Sequence, residues 1–169
     1  MPRAHFAALL AAALAPSALS AQEPFFSVAQ DDAVGSYLVG PGGRPVYIFD
    51  TSARGGDFLP PLESCGPRCR EAWPPVFVSP DTNLVVPDAL DPELIGMVPD
   101  DERIGTASDQ DDPRMVASYG GEPLFFYARE DEGPGPSGHG IHTHGGWWIA
   151  LAPDGAPIIT GSIPDSGDR

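Results

Sequence analysis

The stretch of sequence that decides the fold is Gly42-Gly43-Arg44-Pro45-Val46-Tyr47-Ile48-Phe49, which recurs as Gly120-Gly121-Glu122-Pro123-Leu124-Phe125-Phe126-Tyr127. In each copy, paired glycines permit positive φ in a hairpin turn, and a proline stands where a strand begins. The apolar and aromatic residues that follow suit a pleated, buried surface. One such run alone is equally typical of a buried helix, and its recurrence beside the same turn favours strand.

The surroundings of the two copies also correspond. Each copy follows two strand-like runs, at residues 25–30 and 36–39 in the first half and at 103–108 and 114–118 in the second. Each is followed by an irregular insert and a tryptophan-led run, at residues 73–78 and 147–152. The pattern predicts two tandem pseudo-repeats of about four short antiparallel strands in a meander, repeat A over about residues 25–80 and repeat B over about residues 103–155. One half has little core of its own, so we expect a single mainly β domain over residues 22–155.

Three segments lie outside the predicted repeats. The linker, about residues 81–102, contains Asp91-Pro92-Glu93, which has the form of a helix N-cap and first turn and predicts a helical turn near residues 91–97. The tail, residues 156–169, is polar and acidic, and we expect it to be flexible. Residues 1–21 combine a basic start, a short apolar run and a small residue at the end, which is typical of a secretory signal peptide. An uncleaved anchor helix is the alternative, although the apolar run is shorter than the roughly 20 residues that a membrane span needs. We therefore predict an exported protein, periplasmic or secreted, with no membrane span after cleavage.

The chain is strongly acidic. It carries 24 Asp and Glu against 9 basic residues, all of them arginine, for a formal net charge of −15. Such a surface repels nucleic acid and anionic lipid. It leaves cationic exported proteins and metal ions as partners, while the alternative interpretation is that the acidity only keeps the protein soluble.

A family resemblance follows from these motifs. Tyr47-Ile48-Phe49, followed by Cys65-x-x-x-Cys69-x-x-x-Trp73-Pro74-Pro75, resembles the bacterial "secreted repeat of unknown function" proteins, which are also described as predicted lipoproteins with a Yx(F/W/Y)xxD motif. The likeness covers about residues 25–155 and implies an exported β-rich repeat protein with no settled activity. The chain departs from the pattern at the acidic position of the motif, which is Ser52 in the first half and Glu130 in the second, and it has no lipid-attachment cysteine.

The two cysteines are Cys65 and Cys69. In an oxidising compartment, an even pair at this spacing predicts a disulfide across a short turn. Two alternatives are open: a redox couple, although its usual spacing is CxxC, and a two-thiolate metal site.

Three histidines fall within six residues, at His139, His142 and His144. Imidazole nitrogens suit Cu and Zn, and Glu130, Asp131 or Glu132 would add an oxygen ligand, with Asp131 the predicted ligand among them, so the segment is a candidate metal site. A solvated polar loop that binds metal weakly is the alternative.

Aromatic residues of the two halves are the predicted core, and these are Tyr47, Phe49, Trp73, Phe125, Tyr127, Trp147 and Trp148. The alternative is a groove whose rings stack on a haem, a quinone or a sugar. The chain contains no GxSxG, P-loop or HExxH pattern and no catalytic residue that stands out. We therefore predict a non-enzymatic exported binding module that acts beside cationic electron-transfer proteins. The alternative function is a periplasmic Cu- or Zn-binding protein that uses the histidine segment.

Overall fold

The computed structural model describes residues 23–52, 59–100, 114–130, 135–161 and 163. Three predictions lie outside these described residues: the signal peptide at 1–21, the strand at 103–108 and the metal ligand Asp131. No helix in the described ranges is both long and apolar enough to cross a membrane.

The fold is mainly β, as predicted, and its helices are short. The strands of the described residues are β1 (Ser27–Asp31), β2 (Gly35–Val39), β3 (Tyr47–Asp50), β4 (Phe77–Val78), β5 (Ile95–Pro99), β6 (Met115–Tyr119), β7 (Glu122–Pro123), β8 (Ile141–Thr143) and β9 (Gly146–Ala150). The helices are α1 (Pro61–Ser64) and α2 (Pro67–Ala72), with 3-10 turns at Pro41–Gly43 and Pro92–Leu94.

The strands form three antiparallel sheets. β1 pairs with β2, β9 lies between β3 and β8, and β6 lies between β4 and β5 with β7 also paired to it. Two of these pairings join the predicted halves, because β3 pairs with β9 and β4 pairs with β6. The prediction that each half forms its own meander is therefore wrong for β3, β4, β6 and β9, because each of them pairs with a strand of the other half. Pairing across the halves encloses the aromatic side chains that one small sheet would leave in water.

The glycine turns adopt the predicted backbone conformation. Gly42 and Gly43 have φ values of 72° and 69°, and Gly120 and Gly121 have 61° and 85°. After the second turn, however, the regular strand ends at Pro123, and Phe125 makes only isolated bridges to Tyr47 and Pro75. The regular strand is therefore shorter than the one predicted through Tyr127: Phe125 exchanges both of its backbone hydrogen bonds with Tyr47, while the Phe126 amide donates to the Pro74 carbonyl on the other side.

The linker contains a strand that sequence reasoning missed. Asp91 caps the 3-10 turn as predicted, and its carboxylate accepts the Glu93 amide at 2.9 Å. The turn ends at Leu94, and Ile95 begins β5, which pairs along the whole of β6. The predicted helical turn over 91–97 is wrong beyond Leu94, because Ile95 and Met97 pack against the core.

The disulfide between Cys65 and Cys69 is present, with Cα atoms 5.0 Å apart. The side chain of Arg70 holds the disulfide turn against the end of β5. Its Nε donates to the Cys65 carbonyl at 2.8 Å, and its two terminal nitrogens donate to the Asp100 carboxylate at 2.8 and 3.0 Å. Both side chains are buried, at 7% and 0% exposed, so this ion pair lies inside the fold.

The packed chain reaches past residue 155, where the tail was predicted to begin. The Ile158 amide donates to the Ala150 carbonyl at 3.0 Å, and Ile163 is buried in the core. The first part of the tail therefore lies along the end of β9, where Leu151 and Pro157 also form an isolated bridge, because Ile158 and Ile163 bury apolar surface.

Candidate functional site

Four aromatic rings form a continuous stack through the centre of the molecule. Tyr127 stacks on Trp73 with ring centroids 4.3 Å apart, Trp73 on Trp148 at 4.0 Å, and Trp148 on Phe49 at 4.2 Å. The planes of the two indoles differ by only 1°. Trp73 follows α2 and Trp148 lies on β9, so the stack joins the two halves of the chain.

Two further rings meet this stack edge-on. Tyr47 contacts Trp73 at 5.5 Å and 83°, and Phe125 contacts Trp148 at 5.2 Å and 80°. Of these six aromatic residues, all but Tyr127 are buried. The rings therefore leave only Tyr127 partly exposed to a ligand in solution. Trp147, the seventh predicted core aromatic, lies outside the stack and contacts the ring of His142 at 4.6 Å.

The phenol of Tyr47 is the polar centre of the site. It donates to Glu130 Oε2 at 2.7 Å and accepts the Gly138 amide at 3.1 Å. The other oxygen of Glu130 accepts the amide and the hydroxyl of Ser137 at 2.7 and 2.8 Å. Tyr47 is positioned by β3. The Glu130 carboxylate is positioned by a turn, in which the Glu130 amide donates to the Tyr127 carbonyl, and it is held in place by Ser137.

Close packing at Gly138 seals the phenol from solvent. A Cβ atom at this position would lie 2.8 Å from Tyr47 Cζ and 2.9 Å from Trp73 Cη2, closer than real Cβ contacts allow. Burial, followed by the hydrogen bond to Glu130 and its negative charge, raises the pKa of Tyr47 far above its usual value of 10.0. Tyr47 is therefore a protonated, buried donor to an ionisable carboxyl group.

A second tyrosine faces the same carboxylate. Burial, followed by the charges of Asp31 and Glu130, raises the pKa of Tyr37. Tyr37 lies on β2 and Asp31 ends β1, so the hairpin presents both to the loop that contains Gly135. A Cβ atom at Gly135 would lie 2.7 Å from Asp31 Oδ2, so this loop packs closely on the hairpin.

The three histidines have different environments. His139 accepts the Ala150 amide at Nδ1 (3.3 Å), which assigns its proton to Nε2, and Nε2 lies 2.7 Å from Thr160 Oγ1. Burial lowers its pKa below 6.5, so the neutral form is favoured. His142 is exposed beside Trp147, and His144 takes a positive φ of 56°. Within the described ranges no three His, Cys, Asp or Glu side chains gather in a way that could hold a metal ion, and the predicted ligand Asp131 lies outside them.

The site was only partly visible in the sequence. Glu130 was noticed as the acidic position of the family motif, but its partner Tyr47 belongs to the other half, and no pattern within either half links the two. Ser137 and Gly138 lie among glycines and prolines, where composition alone indicates only a loop.

Comparisons with known proteins found no matching family model, no matching curated protein and no matching solved structure. The resemblance to the secreted repeat proteins therefore stays a prediction, and the function is inferred from the residues themselves.

Proposed function

We propose that this chain is an exported, non-enzymatic binding module that associates with cationic proteins through its acidic surface. The observation that carries the proposal is the excess of 24 acidic over 9 basic residues, with lysine absent from the sequence. A charge of this size attracts cationic partners over about a Debye length, roughly 10 Å at 0.1 M salt, and accelerates their encounter.

Three arginines are held by contacts within the fold. Arg70 is buried against Asp100. The Arg44 guanidinium lies 4.1 Å from the centroid of the Phe126 ring, and Arg114 lies 4.3 Å from that of Phe77. These contacts leave the net charge of the protein unchanged, but they fix the guanidinium groups in place, so the groups are less free to clamp an anionic ligand.

The enclosed aromatic stack supports the same proposal. A haem, quinone or sugar site would need open ring faces, whereas Trp73 and Trp148 cover each other and Phe49 covers the second face of Trp148. Recognition through surface charge needs none of these faces.

We further propose that the two halves are pseudo-repeats of the secreted repeat type. Tyr47 and Phe125, which occupy equivalent places in the two octapeptides, exchange both backbone hydrogen bonds at 2.9 Å. Phe49 stacks on Trp148, and its counterpart Tyr127 stacks on Trp73, which supports an approximate twofold relation in which Trp148, and not Trp147, is the counterpart of Trp73. Matching backbone bonds add to this support, since the Leu38 amide donates to the Leu151 carbonyl and the Ala117 amide to the Val76 carbonyl, and each acceptor follows a tryptophan of the stack.

The experiment is isothermal titration of residues 22–169 with a small, lysine-rich c-type cytochrome at low ionic strength. The matched control is the same cytochrome with its lysines acetylated, which removes positive charge while keeping the fold. We expect measurable binding to the first and a loss of at least about tenfold in affinity with the second. Equal affinity for the two forms, or no binding to the cationic form, would contradict the proposal.

A further inference from the structure

A path of aromatic rings leads from the protein surface to the buried phenol of Tyr47. Tyr127 is half-buried and stacks on Trp73 at 4.3 Å, and Trp73 meets Tyr47 edge-on at 5.5 Å. These distances are those of direct ring contact. An electron that leaves Tyr47 can therefore reach the surface in two short steps.

The same phenol has a proton acceptor in place. Its O–H group donates to Glu130 Oε2 at 2.7 Å, within the distance at which a proton passes directly between two groups. Ser137 holds the other carboxylate oxygen with two hydrogen bonds, so the acceptor does not need to reorient before the transfer. The amide of Gly138 donates to the phenolic oxygen at 3.1 Å and would continue to do so after the proton has left.

We propose that Tyr47 and Glu130 form a one-electron oxidation site, with Trp73 and Tyr127 as the route to a strong one-electron oxidant at the surface, such as a high-valent metal complex. One electron passes from Tyr47 through Trp73 and Tyr127 to the oxidant, which is reduced by one electron. The phenolic O–H bond breaks, and its proton forms a new O–H bond on Glu130. The products are a neutral tyrosyl radical and a neutral carboxylic acid, and one-electron reduction reverses both changes.

Burial favours coupling of the two transfers. Loss of the electron alone would leave a tyrosyl radical cation in the interior, and a buried charge carries a high desolvation cost. Transfer of the proton replaces a cation and a carboxylate by two neutral groups. The site thus makes Tyr47 easier to oxidise than a buried tyrosine whose acceptor cannot take a proton.

The chain contains a matched comparison. The buried phenol of Tyr119 donates to the Pro153 carbonyl, which does not accept a proton at neutral pH. The indole Nε1 of Trp148 has no hydrogen-bond partner among the described residues, so that ring also lacks a proton acceptor at this atom. Tyr47 differs from both through its carboxylate partner.

The test is flash oxidation of residues 22–169 with a photogenerated ruthenium(III) tris-bipyridine complex, followed by transient absorption and electron paramagnetic resonance. We expect a neutral tyrosyl radical in the wild-type protein, an unchanged signal in Tyr119→Phe, and its replacement by a tryptophan radical in Tyr47→Phe. In Glu130→Gln, formation of the tyrosyl radical is expected to slow by on the order of 10²-fold, because the proton acceptor is gone. The solvent deuterium isotope effect on the rate of radical formation should also differ between Glu130→Gln and the wild type.

Two results would overturn the proposal: an undiminished tyrosyl signal in Tyr47→Phe, or wild-type kinetics in Glu130→Gln. Circular dichroism checks that each variant is folded. If Tyr47→Phe fails to fold, the rate and isotope effect in Glu130→Gln decide the matter, because that substitution preserves side-chain size. The outcome is independent of protein docking, since the oxidant is a small molecule.

Discussion

Trp73 and Trp148 lie face to face across the two halves of the chain, with ring centroids 4.0 Å apart and planes 1° from parallel. Each indole is also covered on its outer face, by Tyr127 and Phe49 respectively. Because neither half completes this stack alone, the stack explains why β3 pairs with β9 and not with its neighbour in sequence.

Truncation of Trp73 should therefore destabilise the whole domain. We expect Trp73→Ala to lower the free energy of unfolding by about 3–5 kcal/mol, since the ring is 1% exposed and its loss leaves a cavity. Phe77→Ala is the control, because Phe77 is 42% exposed and its truncation should lower the free energy of unfolding much less. Urea denaturation measures both, and equal costs would show that the stack is not central to the fold.

The Tyr47–Glu130 hydrogen bond should appear as an energetic coupling. We expect a double-mutant cycle of Tyr47→Phe and Glu130→Ala, which remove the donor and the acceptor respectively, to give an interaction of about 1–2 kcal/mol, because the donor is buried and the acceptor only half-buried. Strictly additive effects on the free energy of unfolding would contradict the hydrogen bond.

The buried ion pair between Arg70 and Asp100 should be sensitive to the loss of either partner. Arg70→Met leaves Asp100, at 0% side-chain exposure, without its main counter-charge, and should cost about 3–5 kcal/mol. Arg68→Met, on the exposed side of the same helix, is the matched control. Chemical denaturation measures the free energy of unfolding of both variants. A loss below about 1 kcal/mol in Arg70→Met would contradict the prediction, because it would be no larger than the contribution of a surface ion pair.

His139 should make stability depend on pH. Its pKa is lowered in the folded protein by burial, whereas the unfolded chain has the ordinary value near 6.5. As the pH falls below 6.5, His139 therefore binds protons more readily in the unfolded state than in the folded state. Its contribution to the free energy of unfolding is present above that pH and is lost in acid. Between about pH 7.5 and pH 5, we expect the free energy of unfolding to fall less in His139→Gln than in the wild-type protein. His142→Gln, at an exposed position, should retain the wild-type dependence, and identical pH profiles for all three proteins would disprove this role of His139.

The disulfide should contribute modestly, because it closes a short loop. We expect Cys65→Ser/Cys69→Ser to lower the free energy of unfolding by about 2 kcal/mol, from the loop-closure entropy of a segment of this length. Mass spectrometry of the wild-type protein, purified without a reductant, should show two hydrogens lost. Complete alkylation without prior reduction would contradict the bridge.

Much of the fold was accessible from sequence because the signals were local. The glycine pairs and the cysteine spacing act within a few residues and predicted the correct features, and the Asp91 cap predicted where its turn begins. The errors concern long-range pairing. β5 was hidden in a segment rich in proline and aspartate, and nothing near β3 or β4 indicates that their partners come from the other half.

The site shows the same limit. The histidines attracted attention because they are close in sequence, yet His139 bonds to Ala150 and Thr160, while His142 faces Trp147. Tyr47 and Glu130 are separated by 83 residues and meet only through the packing of the aromatic stack. Proximity in the chain is therefore a poor guide to the chemistry of this protein.

The most direct test of acidic docking is the dependence of its affinity on ionic strength. The dissociation constant for the lysine-rich cytochrome, measured from about 20 to about 300 mM salt, should rise steadily by at least about tenfold as screening shortens the reach of the surface charges. A dissociation constant that stays constant over this range would contradict the proposed function.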